Sequence, residues 1–308
     1  MQDLLTRLNA ASVEKRYEAY ADVGWDEPAM AVAFDDPRFE LPPEDPLAHT
    51  EWYRSRPPEI RSRIGLYRIA SCLKTGAHFE NLLQRGLLVR AMRLRDGTPE
   101  FRYIHHEIVE ESQHTMMFQE VINRSGLRVR GMPRAVRSLI EVVVLPVSGR
   151  LPMLFFIGVL AGEDPIDHVQ RSQLRGGTLH PLMERITRIH VTEEARHVSY
   201  ARAALIEGVP RLNPVRRHAL AVIAPLVLRM LTRVMLIPPA GMRREFDIPR
   251  RVMRSAYRSH EGRRFLRESV QRTRVLCRDA GLMTPAGRLA WRVAGLWEPD
   301  AAELIATS

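Results

Sequence analysis

The sequence predicts an all-α protein, and three observations carry the prediction. From Pro57 onward apolar residues return at spacings of three and four through long segments, the pattern of amphipathic helices. No segment sustains the period-two alternation of a half-buried strand. The interruptions are short and rich in Gly, Pro and Asp, which end a helix rather than extend it.

The first 56 residues stand apart. An amphipathic helix is expected from about Leu4 to Tyr20, followed by a stretch dense in Pro, Asp and Trp from Asp22 to Pro58. Trp25, Phe34, Phe39, Trp52 and Tyr53 would be wasted in a flexible linker, so residues 1–56 read as an ordered arm packed on the body. No shift of composition divides residues 57–308, which read as one helical domain. Its first helix opens at Pro57-Pro58, whose fixed φ suits a first turn, and runs to about Arg95, where Asp96-Gly97-Thr98-Pro99 breaks it. A second runs from Pro99 to Asn123 and stops at Ser125-Gly126; Pro133 opens a short third. The fourth covers Leu151 to Gln173 with an interruption at Pro165. Arg175-Gly176-Gly177 parts it from a fifth, His180 to Glu207, closed by Gly208. A sixth follows Asn213-Pro214 and stops before Pro238-Pro239, and the tail from Pro249 adds helices broken at Gly281 and Gly287.

Composition narrows the function. With 308 residues, 45% hydrophobic and 27% charged, the chain can bury a sizeable core and does not read as disordered. The net charge of +10 would ordinarily point to nucleic acid, but only Lys15 and Lys74 among the 46 basic residues are lysines, and the arginines scatter over every segment. Without a basic cluster, nucleic acid is not an expected partner. Cys72 and Cys277 form neither a disulfide framework nor a metal pair. The longest apolar stretches, Leu151 to Gly162 and Ala219 to Leu228, read as buried helix too short to span a membrane, and the N-terminal residues lack a leader pattern. A cytoplasmic protein is expected.

The informative residues are charges standing where helix periodicity asks for apolar side chains. Glu80 interrupts the stripe Ile69, Leu73, Gly76, Leu83, Leu87. Glu111 and His114 lie on the face of Ile104, Ile108, Phe118 and Val121; Glu163 follows Phe156, Val159 and Leu160; His190, Glu194 and His197 follow Met183 and Ile186. Buried carboxylates cost several kcal/mol unless they meet one another, a proton or a cation. Advancing 83 positions carries Glu80 onto Glu163, Glu111 onto Glu194 and His114 onto His197, so each half reads Glu, then Glu-x-x-His. Glu107 aligns with His190 in the same register. Salt bridges to arginine would not impose a matching offset. One Glu from each of two helices and Glu-x-x-His from each of two others is the donor set of ferritin-like dinuclear carboxylate bundles, and carboxylates with imidazoles suit iron. Glu107, Glu110 and Glu193 read as outer or arginine-paired groups, and His78, His105, His106 and His168 as hydrogen-bonded outer or surface histidines.

His190 stands one turn before Glu194, making His-x-x-x-Glu-x-x-His on one helix. Here the chain resembles the AurF-type di-iron p-aminobenzoate N-oxygenases. The resemblance spans about Glu51 to Gly208 and rests on Phe79-Glu80-Asn81, Glu110-Glu111-Ser112-Gln113-His114, Gly162-Glu163-Asp164 and His190-Val191-Thr192-Glu193-Glu194-Ala195-Arg196-His197. It implies a ferritin-like four-helix di-iron bundle, its metal core at about 57–208, elaborated by the N-terminal arm and extra C-terminal helices. It implies Glu80, Glu111, His114, Glu163, His190, Glu194 and His197 as ligands of two iron ions, the di-iron centre itself being the catalytic group. It further implies O2 and a small-molecule amine as substrates, the amine most naturally an arylamine carried toward hydroxylamine, nitroso and nitro products. No G-x-G-x-x-G fingerprint for flavin or nicotinamide is present, so an external electron donor or reductase is expected. A di-iron hydroxylase or desaturase acting on carbon, and a ferritin-like iron-handling protein, are the competing readings. The assembly state is open, with a homodimer among the options. No anchor for a substrate carboxylate stands out near the ligands; Lys74 or an arginine from elsewhere are the candidates.

Overall fold

The structure is a computed structural model and describes residues 1–144 and 148–298. Its regular elements there are helices, with no strand. In chain order they are α1 (Gln2–Glu14), α2 (Glu51–Arg54), α3 (Pro58–Ala91), α4 (Pro99–Arg124), α5 (Arg134–Leu139), α6 (Pro152–Gly176), α7 (Pro181–Gly208), α8 (Pro214–Leu236), α9 (Ala240–Glu245), α10 (Arg250–Arg258), α11 (His260–Ser269), α12 (Gln271–Asp279) and α13 (Pro285–Val293). Of the expected tail, residues 299–308 lie outside the described residues.

Four helices make the centre. Short links fold α4 back on α3 and α7 back on α6, and the longer passage from Ser125 to Leu151 carries the chain from one pair to the other. α3 also meets α6, and α4 meets α7, which closes the bundle. Two glycines let α3 and α6 approach. A Cβ on Gly162 would lie 2.1 Å from the Phe79 ring, and one on Gly86 would lie 2.2 Å from the Phe155 ring, so each aromatic ring occupies the space above the other helix's glycine. The starts are capped as the sequence suggests: Thr98 accepts from the Phe101 amide, Asn213 from Arg216, and a proline follows each cap.

Several expected boundaries move, each for a local reason. The first helix ends at Glu14 rather than near Tyr20, because Lys15 turns extended and the Tyr17 and Ala19 amides donate to side chains of α7 and α4. Pro165 does not interrupt the fourth helix; α6 runs on to Gly176, pressed between α7 and α8, and contact on both sides holds a helix that lacks one amide donor. Gly287 is no break either. It lies in the first turn of α13, its amide donating to the Thr284 hydroxyl at 3.1 Å, and a Cβ there would meet the Leu282 carbonyl at 2.4 Å.

Within residues 1–56, Trp25, Phe39 and Tyr53 are buried, whereas Phe34 is half exposed and Trp52 sits partly buried beneath the Arg56 guanidinium. Asp45 ties arm to tail: it accepts from the Tyr257 hydroxyl and lies 3.5 Å from Arg68, whose guanidinium also donates to the Leu236 carbonyl. Around the bundle, α1 covers α4 and α7, α8 covers α6 and α3, and α13 packs on α8. Residues 214–245, which include α8, hold an 18-residue window of mean hydropathy 2.0, long and apolar enough to cross a membrane by composition; half of that window is buried. The apolar run Ala219 to Leu228, too short by itself to span, lies within this longer helical stretch.

Candidate metal centre

The four central helices bring all seven expected donors to one buried place. Glu80, Glu111, His114, Glu163, His190, Glu194 and His197 are each at most 4% exposed. Their donor atoms fall into groups of three lying within 4.8 Å of one another: Glu80, His114 and His190; Glu111, His114 and Glu194; Glu163, His190 and Glu194. A fourth group adds a residue read from the sequence as an outer one, since Glu107 joins Glu111 and His197. The antiparallel course of α4 and α7 explains both additions: the residue one turn before each Glu-x-x-His faces the histidine of the other helix. His190 accordingly lies beside His114, their ring centroids 4.7 Å apart.

Each histidine is held by one ring nitrogen and presents the other inward. His197 Nε2 is 2.7 Å from Glu110, leaving Nδ1 at 3.0 Å from Glu111 and 3.1 Å from Glu194. His114 Nε2 is 2.9 Å from Glu193, leaving Nδ1 at 3.4 Å from Glu111 and 3.6 Å from Glu194. Glu110 on α4 thus orients the histidine of α7, and Glu193 on α7 orients that of α4. The two glutamates are themselves related by the 83-residue offset. Arg196 stands 2.8 Å from Glu110 and 3.5 Å from Glu193, so the arginine-paired reading of both glutamates holds alongside the histidine one. A carboxylate behind an imidazole fixes its tautomer and raises its basicity toward a metal.

Three supporting groups were not singled out in the sequence. Gln170 faces His190 Nδ1 at 3.0 Å and leaves Nε2 toward Glu80 at 3.5 Å; its place two turns beyond Glu163 on the same face was the available signal. Thr115 donates to Glu80 at 3.2 Å. The Tyr17 amide donates to Glu193 at 3.3 Å, which brings the arm into the support of His114, and nothing local in the sequence marks that contact. Lys74, a candidate substrate anchor, donates to Gln119 at 2.6 Å.

The electrostatics of the cluster suit a cation. Burial pushes the Glu80 carboxyl up to about 7 against the pull of His190, and Glu107 up to about 8 against that of His197. Burial and then the charge of Glu194 hold Glu163 well above the carboxylate range. For Glu111 burial also pushes upward, but His197 and His114 outweigh it and leave the carboxyl below its usual range. Burial opposes charge on His114 and His197, yet their carboxylate neighbours raise both well above ordinary histidine. Glu107 Oε2, Glu111 Oε1 and Glu194 Oε2 are buried with no hydrogen-bond partner, the condition a bound cation relieves. Oxygen and imidazole donors without sulfur fit a first-row ion such as iron.

A pH dependence follows. Metal binding needs these groups deprotonated, so ions must displace protons that Glu80, Glu107, His114 and His197 hold near neutrality. Anaerobic titration with Fe(II) in weak buffer is expected to release protons, and affinity to rise with pH across the range from about 6 to 8 that brackets the raised carboxyls. Affinity that is flat over that range would contradict this.

The sequence model of the family described as P-aminobenzoate N-oxygenase AurF matches residues 1–281. The chain belongs to this family. As a member of the AurF family it falls, at family level, among the di-iron N-oxygenases, and its buried carboxylate and imidazole cluster is one that could hold metal. The match reaches well beyond the motif-bearing helices, taking in the arm and most of the tail. Uncharacterized proteins of Mycobacterium tuberculosis (strain ATCC 25618 / H37Rv) and Mycobacterium bovis (strain ATCC BAA-935 / AF2122/97) are each 45% identical to this AurF-family chain over 293 residues, covering 94% of it and 86% of their own length. No solved structure matches.

Proposed function

We propose that the protein is an O2-dependent di-iron oxygenase that oxidises an amine nitrogen, in the first instance of an arylamine. The observation that carries the reading is the third imidazole: His190 joins Glu80 and His114 in one group, so seven donors from four helices converge where six make the usual set. Seven protein donors leave few positions for a metal-bound substrate, which suits an electron-rich lone pair approaching from outside. In its first turn the reaction would take the amine, O2, two electrons and two protons to a hydroxylamine and water.

A bound iron pair would supply the O2 activation and redox chemistry. The chain's own residues prepare the place for it. Glu80, Glu111, Glu163 and Glu194 would offset most of the charge of two divalent ions, and His114, His190 and His197 would supply nitrogen donors. Glu110, Glu193 and Gln170 set which ring nitrogen faces inward. Burial of every donor keeps bulk water from the cluster. Electrons would come from a separate donor, and a reducing cytoplasm fits the two free thiols.

The test is direct. Protein loaded anaerobically with Fe(II) should hold close to two ions per chain, and after chemical reduction and exposure to O2 it should convert anilines of varied para substituents to hydroxylamine, nitroso or nitro products, followed by mass. Hydroxylation or desaturation of an alkyl or acyl compound with no amine turned over would put the carbon oxygenase in its place. Iron uptake far beyond two ions per chain would favour storage.

A further inference from the structure

One cavity of the molecule has a wall of unusual uniformity. It encloses about 320 Å3 between α3, the α5 region, α6 and α8, and among the described residues every side chain lining it is apolar. That volume lies at the lower end of small-molecule sites, roughly 300–1,000 Å3, and is too small for a helix of a partner protein. None of the seven donors lines it, but two of its residues stand one helical turn from donors. Leu83 is one turn after Glu80 and Val159 one turn before Glu163, so both line the cavity from the same faces as those carboxylates. Phe79, which also lines it and directly precedes Glu80, lays its ring over Gly162, the residue before Glu163. Among the described residues the outer end is open, with Leu226 46% and Leu139 47% exposed at the rim.

We propose that this cavity seats the body of the substrate, and hence that the substrate is an amine whose remaining structure is apolar and uncharged, an alkyl-substituted arylamine rather than an aminobenzoate. The assignment of the amine rests on the oxygenase reading above; the assignment of the cavity does not. A carboxylate placed among these walls would lose its water and find no donor on them. An apolar chain would instead replace water against apolar walls at every carbon. Phe79 is the positioning residue between the chain and the cluster.

Gly158 makes the cavity testable. It lines the wall, and a Cβ built there meets nothing within 4 Å, so a larger side chain would enter the cavity without striking backbone. Binding of aniline, 4-butylaniline, 4-hexylaniline and p-aminobenzoate to the iron-loaded protein is measured by titration calorimetry without reductant, so that no turnover is needed. Affinity is expected to rise about fourfold per added methylene, equivalent to about 0.8 kcal/mol each, until the cavity is filled, while p-aminobenzoate binds no better than aniline. Gly158→Phe should bring 4-hexylaniline to within a few-fold of aniline with iron content unchanged. Leu226→Trp, at the exposed rim, should narrow the entrance to the same effect and guards against misfolding of the first variant. Affinity independent of chain length, p-aminobenzoate binding as tightly as 4-hexylaniline, or a stable dimer in sedimentation whose formation blocks 4-hexylaniline, would each overturn the proposal. Chain-length-dependent binding that Gly158→Phe removes, with no amine oxidised, would leave the cavity assigned and remove the oxygenase reading.

Discussion

Glu111→Ala is expected to reduce iron from two ions per chain to one or none and to abolish amine oxidation, while the apoprotein stays folded. Glu111 is fully buried, and its two oxygens reach 3.4 Å to His114 and 3.0 Å to His197, the histidines of the two halves. It shares one group with His114 and Glu194 and another with Glu107 and His197. Without it, both groups would lose a carboxylate, and the charge of bound cations would be less well offset. Glu110→Gln makes the contrast. Its amide cannot serve both the Nε2–H of His197 and the guanidinium of Arg196 as a carboxylate does. The metal should still bind, weakened by roughly 10- to 100-fold, as is usual when the partner behind a metal-binding histidine is lost. Elemental analysis after anaerobic loading, with circular dichroism of the apoprotein as control, separates the two. Two irons retained in Glu111→Ala would show that this carboxylate is not shared by the site.

Gly65→Ala is expected to cost about 3 kcal/mol of stability, the upper part of the range for overpacking. A Cβ on Gly65 would lie 1.8 Å from the Phe39 carbonyl oxygen and 2.9 Å from the Phe39 and Glu40 carbonyl carbons, all main-chain atoms of the arm. Backbone cannot rotate aside as a side chain can, so the arm must lift, and with it the burial of Phe39. Gly158→Ala gives the opposite sign from the same chemical change: with open space at its Cβ, it should stabilise by about 0.5–1 kcal/mol through helix propensity and lost unfolded-state freedom. Urea unfolding of the two variants measures both. Gly65→Ala as stable as the parent would mean that the arm is not seated on α3 at this point.

Local geometry accounts for what was legible beforehand. An α-helix projects residues three and four apart onto one face whatever surrounds it, so the charged positions on apolar stripes and their repeat at 83 residues could be seen without a partner helix in view. The same reasoning covered the helices from Pro58 to Leu236 apart from their ends and the interruption expected at Pro165, and it placed His190 on the face of Glu194. It understated Glu107, because the histidine that Glu107 joins belongs to another helix.

The sequence by itself determined the helical class, the order of the long helices and the inward faces of the seven charged residues on apolar stripes, since each depends on spacing within one helix. The tertiary structure alone decided which nitrogen of each histidine faces the cluster, because that choice is made by Glu110, Glu193 and Gln170 acting across helices. It also decided that α6 continues through Pro165, that the chain leaves α1 early to give the Tyr17 amide to Glu193, and that an apolar cavity lies beside Glu80 and Glu163. These outcomes rest on contacts between residues far apart in the chain, and their energies depend on distances and directions that no local pattern of residues encodes.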